Sequence, residues 1–264
     1  MTDSLGWRRK FGVIAPSTNT TVQPEFDDMR ARGVTNHFSR VWIPDDPVES
    51  DDDFNRLMEN IRREMDNAVA RVLTCHPDYI VMGMSSETFW GGLDASIELK
   101  KRMEELSGLR VAMGSDACQA ALRSYGDIRR IGVITPYWPV GDENVRHFFS
   151  DCGFEVVNLL GLKCKSPVQI AHVSEDELAR AIREVDGDDV EAIVQCGTNL
   201  AMGRLAAMAE KFLGKPVIAI NAATYWFALR DNGIEDRIEG YGSLLADYPR
   251  LPDNYTSLSP APAD

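Results

Sequence analysis

The chain has 264 residues, 44% of them hydrophobic and 26% charged, with a formal net charge of −13. That is enough apolar material for one large core or two modest ones, and the acidic balance disfavours nucleic acid, which calls for a basic footprint. No apolar run is long enough to span a bilayer, Met1 to Lys10 leads into no apolar leader segment, and five scattered cysteines without a CxxC pair point to a reducing cytoplasm rather than a disulfide framework.

In chain order, Phe11-Gly-Val-Ile-Ala-Pro16 reads as a strand that stops at proline, followed by Ser17-Thr18-Asn19-Thr20-Thr21 and a helix starting at Pro24-Glu25-Phe26. Residues 33–53 read as irregular and acidic, with a strand-like Phe38–Ile43 inside them. Phe54, Leu57, Met58, Ile61, Met65, Val69 and Val72 recur at helical spacing. Pro77-Asp78 then turns the chain into a buried-type strand, Tyr79–Gly83, which leads to Met84-Ser85-Ser86-Glu87. A helix from about Leu93 to Leu106, a strand at Arg110–Met113 running into Gly114-Ser115-Asp116, and a helix Ala117–Tyr125 complete the first half.

The pattern then restarts. Ile131-Gly-Val-Ile-Thr-Pro136 matches Phe11–Pro16 position for position, with Tyr137 next and a helix over Asp142–Phe149. Ser174-Glu-Asp-Glu177 is a capping box opening a helix whose apolar positions include Leu178, Ile182 and Val185. Ala192–Val194 stands where Tyr79–Val81 stood, Pro216–Ile220 is a further strand, and Ala228-Leu229-Arg230 up to Gly233 echoes Ala121-Leu122-Arg123 up to Gly126. Three matched pairs in the same order predict a duplicated β-α-β-α-β-α unit. The expected fold is α/β: two pseudo-symmetric lobes, each a mainly parallel sheet flanked by helices, with the site in the cleft between them. Residues 1–117, completed by the C-terminal segment 223–264, form the first expected lobe and 118–222 the second.

The stretch Ala192–Asn199 is a strand-sized apolar run that ends at Cys196-Gly197-Thr198-Asn199. A thiol at a strand end can be a small buried hydrophobe, a nucleophile or a proton carrier. Its counterpart in the repeat falls at Ser86 or Ser85, where no thiol stands. Cys75, Cys118, Cys152 and Cys164 read as core or surface thiols, Cys118 being the exception to watch because it starts a helix after Ser115-Asp116. Ser85 and Ser86 suit turns and caps, or an oxyanion site. Glu87 reads as a solvated loop residue rather than a working acid, and Trp226 with Phe227 as packing. Phe89 and Trp90 fit a pocket wall or helix packing equally. Four histidines, none at ligand spacing, support no metal site.

At Pro16-Ser17-Thr18-Asn19-Thr20-Thr21, Met82-Gly83, Pro136-Tyr137, Gln195-Cys196-Gly197 and Gly240-Tyr-Gly-Ser-Leu-Leu245 the chain resembles the aspartate/glutamate racemase superfamily, in its maleate isomerase and arylmalonate decarboxylase branch. The resemblance spans roughly residues 11–248. It implies a cofactor-independent enzyme working on a small carboxylic acid. Two-thiol members place a cysteine on each face of the substrate, whereas decarboxylases of the arylmalonate type keep only the second-lobe cysteine. The resemblance makes Cys196, Ser86 and Tyr137 the expected catalytic residues, and Pro16, Ser17, Asn19, Ser85, Gly197 and Thr198 the expected substrate-binding ones. The leading expectation is decarboxylation of a small diacid, because a single thiol suffices for one reprotonation. The alternatives are maleate-type isomerisation or racemisation, hydrolysis of a cyclic amide or lactone, and a non-catalytic small-acid sensor. No membrane partner is expected, and nothing in the sequence speaks against a homo-oligomer.

Overall fold

The computed structural model describes residues 3–253, so the end of the segment assigned to the first lobe, from 254 on, lies outside the described residues. The first sheet contains β1 (Arg9–Pro16), β2 (Val34–Val41), β3 (Tyr79–Met82) and β4 (Val111–Ala112), in the order β2-β1-β3-β4 with every pairing parallel. The second contains β5 (Arg130–Thr135), β6 (Glu155–Gly161), β7 (Ala192–Gln195) and β8 (Val217–Ala219), in the order β6-β5-β7-β8 and again parallel throughout. The same strand order twice is the duplication written in the sequence. Parallel neighbours need crossover connections, and the helices supply them.

In the first half these are α1 (Val22–Asp28), α2 (Asp51–Leu73), the single turn α3 (Ser86–Phe89), α4 (Gly92–Ser107) and α5 (Gly114–Ser124). In the second they are α6 (Pro139–Asp151), α7 (Glu175–Val185), α8 (Gly203–Leu213), α9 (Ile220–Asp231) and α10 (Ser243–Asp247). Ser174 caps α7 as the sequence predicts, accepting from Glu177 N at 3.3 Å while Glu177 Oε2 accepts from Ser174 N at 2.9 Å. Among the described residues no helix is long and apolar enough to cross a membrane.

Periodicity did not reveal the edge strand β6, and the strand-like Phe38–Ile43 is the second half of an edge strand, β2, that starts earlier and ends at Val41. β2 runs in register with β1 from Arg9↔Val34 to Pro16↔Val41, so the stretch expected to be irregular begins as a strand. β6 is half-buried along most of its length, which blurs the apolar run that marks a central strand. The helix expected over Ala117–Tyr125 starts three residues earlier, with Gly114-Ser115-Asp116 in the first turn of α5.

The core sits on the central strands. Phe11, Val13, Ile14 and Ala15 of β1 and Ile131, Val133 and Ile134 of β5 are fully buried. Helix α9 is buried on every side from Ile220 to Arg230, as a helix with no polar face must be. It packs against α5 and α1 and reaches both β3 and β8. Trp226 is fully buried there, its indole N–H donating to Tyr248 O at 2.9 Å, so Trp226 and Phe227 are packing residues. Arg230 donates to the carbonyls of Ile234, Leu245 and Tyr248 and so ties the C-terminal segment to α9. A buried ion pair, Lys100 Nζ to Asp116 Oδ2 at 2.6 Å, joins α4 to α5.

Candidate active site

Four strand ends, at Pro16, Met82, Thr135 and Gln195, bring their following loops together across the two sheets. The contacts are direct. Asn19 Nδ2 donates to Thr198 Oγ1 at 3.1 Å, Thr198 N donates to Ser85 Oγ at 3.1 Å, and the Ser85 and Tyr137 hydroxyls lie 2.7 Å apart.

Cys196 is delivered by β7, whose four residues are all buried. Its backbone N–H extends the sheet ladder, donating to Ile134 O at 2.8 Å. Gly197 follows because the turn passes against the strand end of β5: a Cβ there would lie 2.6 Å from Pro136 Cδ. Gln195 Nε2 locks the turn by donating to Gly197 O at 2.8 Å.

The equivalent ladder bond in the first lobe is made by Gly83, whose N–H donates to Ile14 O at 2.7 Å. Register agrees, since Ile14 pairs with Met82 on one side and Ile134 with Gln195 on the other. The position facing Cys196 by symmetry is therefore Gly83, not Ser86 or Ser85. Ser85 corresponds instead to Thr198, and the two are hydrogen-bonded to each other.

Three groups able to donate meet here and bond to one another: the Ser85 hydroxyl, the Tyr137 phenol and the Thr198 N–H, all buried. Burial pushes the Tyr137 phenol far above its ordinary value, so it stays a donor. Tyr137 is held by its own N–H, which donates to Thr135 Oγ1 at 3.0 Å, while Thr135 Oγ1 donates to Asp142 Oδ1. Asp142 is pushed up to about 6, burial being the main cause and the Thr135 bond opposing it. The Cys196 thiol is also driven well up, first by burial and then by a hydrogen bond with Cys118 and the nearby charge of Asp142. It is a proton-bearing thiol at neutral pH. In that form it has a proton to give and no thiolate with which to take one.

A second layer orients these groups. Asn221 Nδ2 donates to Thr198 O at 2.9 Å and to Glu25 Oε2 at 2.6 Å, and Glu25 Oε1 accepts from Gly203 N at 3.0 Å. Arg40 donates to Asn19 O at 2.9 Å and Pro16 O at 3.3 Å, fixing the loop after β1 from behind.

A cavity of about 60 Å³ lies at the junction. Its polar lining residues include Asn19, Ser85, Ser86, Tyr137, Thr198 and Asn199. Its apolar ones include Ile43, Phe54, Leu57, Ile61, Met84 and Ile170. No charged side chain lines it. Two straps meet above it, Val48 N donating to Lys165 O at 2.7 Å and Val168 N to Asp45 Oδ1 at 2.9 Å. Ligand pockets usually measure about 300–1,000 Å³, so this one is small, with the Cys196 side chain buried beside the cavity rather than lining it. A groove of about 440 Å³ runs outside the strap along α2 and shares only Leu57 with the cavity; it holds none of the converging donors.

Of the expected residues, Pro16, Asn19, Ser85, Ser86, Tyr137, Gly197 and Thr198 line the cavity together. Ser17 does not: its hydroxyl exchanges hydrogen bonds with Ile43 N and O at 3.1 and 3.2 Å and pins the strap. Asn19 Oδ1 accepts from Thr21 N and Val22 N at 3.0 and 2.9 Å, so its carbonyl serves the start of α1 and only its amide end faces Thr198. Ser86 is the first residue of α3 and half-exposed. Glu87 is buried rather than solvated, its Oε1 accepting from Arg62 Nε at 2.6 Å, and burial raises it. Phe89 packs into the core, while Trp90 stacks on Phe54. Sequence reading did not pick out Thr18 or Asn199; Asn199 bridges the lobes by accepting from Thr20 N at 3.0 Å and donating to Pro167 O at 3.0 Å. Among the described residues no group of three or more His, Cys, Asp or Glu could hold a metal ion.

Residues 50–245 match the model of the family described as arylmalonate decarboxylase. The chain belongs to this family. Among its relatives, a maleate isomerase of Nocardia farcinica is 23% identical over 245 residues, covering 90% of this chain and 95% of the relative. The arylmalonate decarboxylase of Bordetella bronchiseptica is 27% identical over 168 residues, 61% of this chain and 68% of the relative. The maleate isomerase Iso of Pseudomonas putida S16 superposes with a TM-score of 0.81 at 22% identity, covering 90% of this chain and 98% of that one. Arylmalonate decarboxylase itself gives a TM-score of 0.67 at 20% identity, over 89% and 98% of the two chains. These likenesses establish the two-lobed fold of the family.

Proposed function

We propose that this family member is a cofactor-independent decarboxylase of a malonate carrying an apolar substituent. The observation that carries the reading is Gly83: the ladder position opposite Cys196 has no side chain, so one thiol serves one face. The cavity supports it, because its lining is uncharged and combines apolar side chains with a cluster of neutral donors. One carboxylate binds to the Ser85 and Tyr137 hydroxyls and the Thr198 N–H. The other lies towards Ile43, Leu57, Ile61 and Met84, where loss of water makes departure as CO₂ easier. The C–C bonding pair stays behind as an enediolate held by the three donors. Cys196 then protonates the carbon, its S–H pair remaining as thiolate until water restores the proton. The same reading puts the enzyme in a reducing cytoplasm, where Cys196 stays a free thiol.

The test is an NMR screen of 2-aryl- and 2-alkylmalonates in D₂O. A single enantiomer of the deuterated monoacid is expected from a prochiral substrate, with Cys196→Ser reducing turnover by about 10²- to 10⁴-fold. A racemic product, or full activity in Cys196→Ser, would overturn it.

A second reading, maleate-type isomerisation, draws on relatives with that name covering 90% of the chain. One of them, from Nocardia farcinica, has been solved with a covalent succinylcysteine intermediate. The missing thiol at Gly83 and the absence of a cationic site for a second carboxylate weigh against it here. Fumarate formed from maleate in the same screen would reverse that ranking.

A further inference from the structure

Gln195 ends β7 and is buried, although the other residues of that strand are all apolar. Its register mate in the first lobe is Met82: Ile14 pairs with Met82 and Ile134 with Gln195, each closing its strand. The fold therefore accepts, at this position, a side chain of similar length that cannot donate. An amide placed in a core costs stability unless it is hydrogen-bonded. The amide thus answers to something found only in the lobe that delivers Cys196.

Its partner is the Gly197 carbonyl, which accepts from Gln195 Nε2 at 2.8 Å and from Leu200 N at 3.0 Å. A carbonyl oxygen only accepts, so the nitrogen end of the amide must face it. That carbonyl belongs to the same peptide unit as the Thr198 N–H, which donates to Ser85 Oγ at 3.1 Å. One rigid plane therefore has two donors on its oxygen and its N–H on the Ser85–Tyr137 cluster. Donors on the oxygen polarise the unit and make its N–H a stronger donor. Asn221 Nδ2 on Thr198 O at 2.9 Å and Asn19 Nδ2 on Thr198 Oγ1 at 3.1 Å hold the residue from two further directions. Both act outside that peptide unit, so the side-chain grip on the unit itself comes from Gln195 and Ser85.

We propose that Gln195 is a positioning residue: it orients the Gly197–Thr198 peptide and strengthens its N–H for the charge that develops on the substrate oxygen. The inference rests on the decarboxylase reading for that charge, since the enediolate is what the N–H meets. The enediolate carries more negative charge on oxygen than the bound carboxylate does. A stronger donor therefore favours the transition state over the bound substrate, and its loss falls on kcat rather than on KM. A residue that served only the fold would lower stability instead and leave this split unseen.

The experiment compares wild type with Gln195→Met, which copies the side chain of the first lobe, and with Gln195→Leu. Both variants should unfold at or above the wild-type temperature, since the Gly197 carbonyl keeps its bond from Leu200 N. On a decarboxylated substrate each should lower kcat by about 5- to 30-fold with KM within about two-fold. In amide NMR spectra of the free enzyme, the Thr198 proton should move upfield in both variants, while the Gly83 and Cys196 amides hold their positions. Full kcat in either variant would overturn the proposal, as would an unmoved Thr198 resonance. Failure of both variants to fold would overturn it too, because the amide would then be a requirement of the fold. If no malonate is turned over, the decarboxylase reading fails, while the Thr198 resonance still decides whether Gln195 governs that peptide.

Discussion

Gly83 and Cys196 make the same backbone hydrogen bond in two different sheets, to Ile14 O at 2.7 Å and Ile134 O at 2.8 Å. The lobes are thus alike in the main chain at this point and differ by one side chain. Installing that side chain is the most direct test of one-faced chemistry. A Cβ on Gly83 would sit 3.0 Å from Val13 Cγ1 and 3.2 Å from Ala15 Cβ, so Gly83→Cys should cost about 1–3 kcal/mol of stability and Gly83→Cys/Val13→Ala less. With a thiol on each face, the monoacid product should exchange its alpha proton from both sides. Chiral chromatography should then show a single enantiomer turning into a mixture, which wild type should not produce.

Ser85 accepts from Thr198 N and shares a hydrogen bond with the Tyr137 phenol. Ser85→Ala leaves two buried polar groups without their partner. It is expected to reduce kcat by about 10²- to 10³-fold and stability by about 1–3 kcal/mol. Steady-state kinetics and urea unfolding measure the two losses separately; Ser86→Ala should produce much smaller ones.

Asp142 has an ordinary value of 3.8 and is pushed up to about 6 in the fold. The folded carboxyl therefore holds its proton more tightly than the unfolded one. Stability from this group is greatest below the ordinary value, falls as pH rises towards about 6, and is flat above. The drop is on the order of 2–3 kcal/mol. Asp142→Asn should flatten the slope in that window, read from unfolding midpoints against pH. An unchanged slope would show that the carboxyl titrates normally.

Substrate entry is expected to part the straps at Asp45–Val48 and Lys165–Val168, which bond to each other beside a cavity of about 60 Å³. In hydrogen exchange the Val48 and Val168 amides should exchange faster than the Gly83 and Cys196 amides, which lie in the ladder. A bound arylmalonate analogue should slow the strap amides by at least about ten-fold through linkage. Exchange at the straps that ignores ligand would exclude them as the entry route.

Lys100 and Asp116 form a buried pair that anchors the start of α5. Lys100→Met strips Asp116 of its ammonium and should cost about 3–5 kcal/mol, while Lys100→Met/Asp116→Leu should recover much of that loss. Thermal unfolding of the two variants would separate pairing from packing.

The duplication was legible because β1 and β5 share Gly-Val-Ile and a terminal proline, and because both are central strands whose two faces are buried. The edge strands were harder to see. β2 and β6 are half-exposed, and their mixed pattern resembles a loop. The thiol's counterpart was misplaced although the sequence held the answer: setting Ile80-Val81 on Ile193-Val194 puts Gly83 on Cys196 and Ser85 on Thr198. Two serines beside the glycine drew the reading towards hydroxyls, since glycine offers no chemistry to notice. Glu87 was read as solvated because a carboxylate after two serines resembles a surface turn; its partner, Arg62, lies on α2 and only the fold brings it near. The bond from Asn19 to Thr198 is long-range as well and does not follow from local spacing.

Phe54, Leu57 and Ile61 form one face of a single helix, α2, whereas the Ser85, Tyr137 and Thr198 donors sit on the loops after β3, β5 and β7. Reaction and selectivity are thus inherited from different parts of the chain. Exchanging those three side chains for smaller or larger ones redraws the contour seen by a substituent and leaves the proton donor and its neighbours in place. A library confined to one face of α2 would sample new acids without having to reinvent the chemistry.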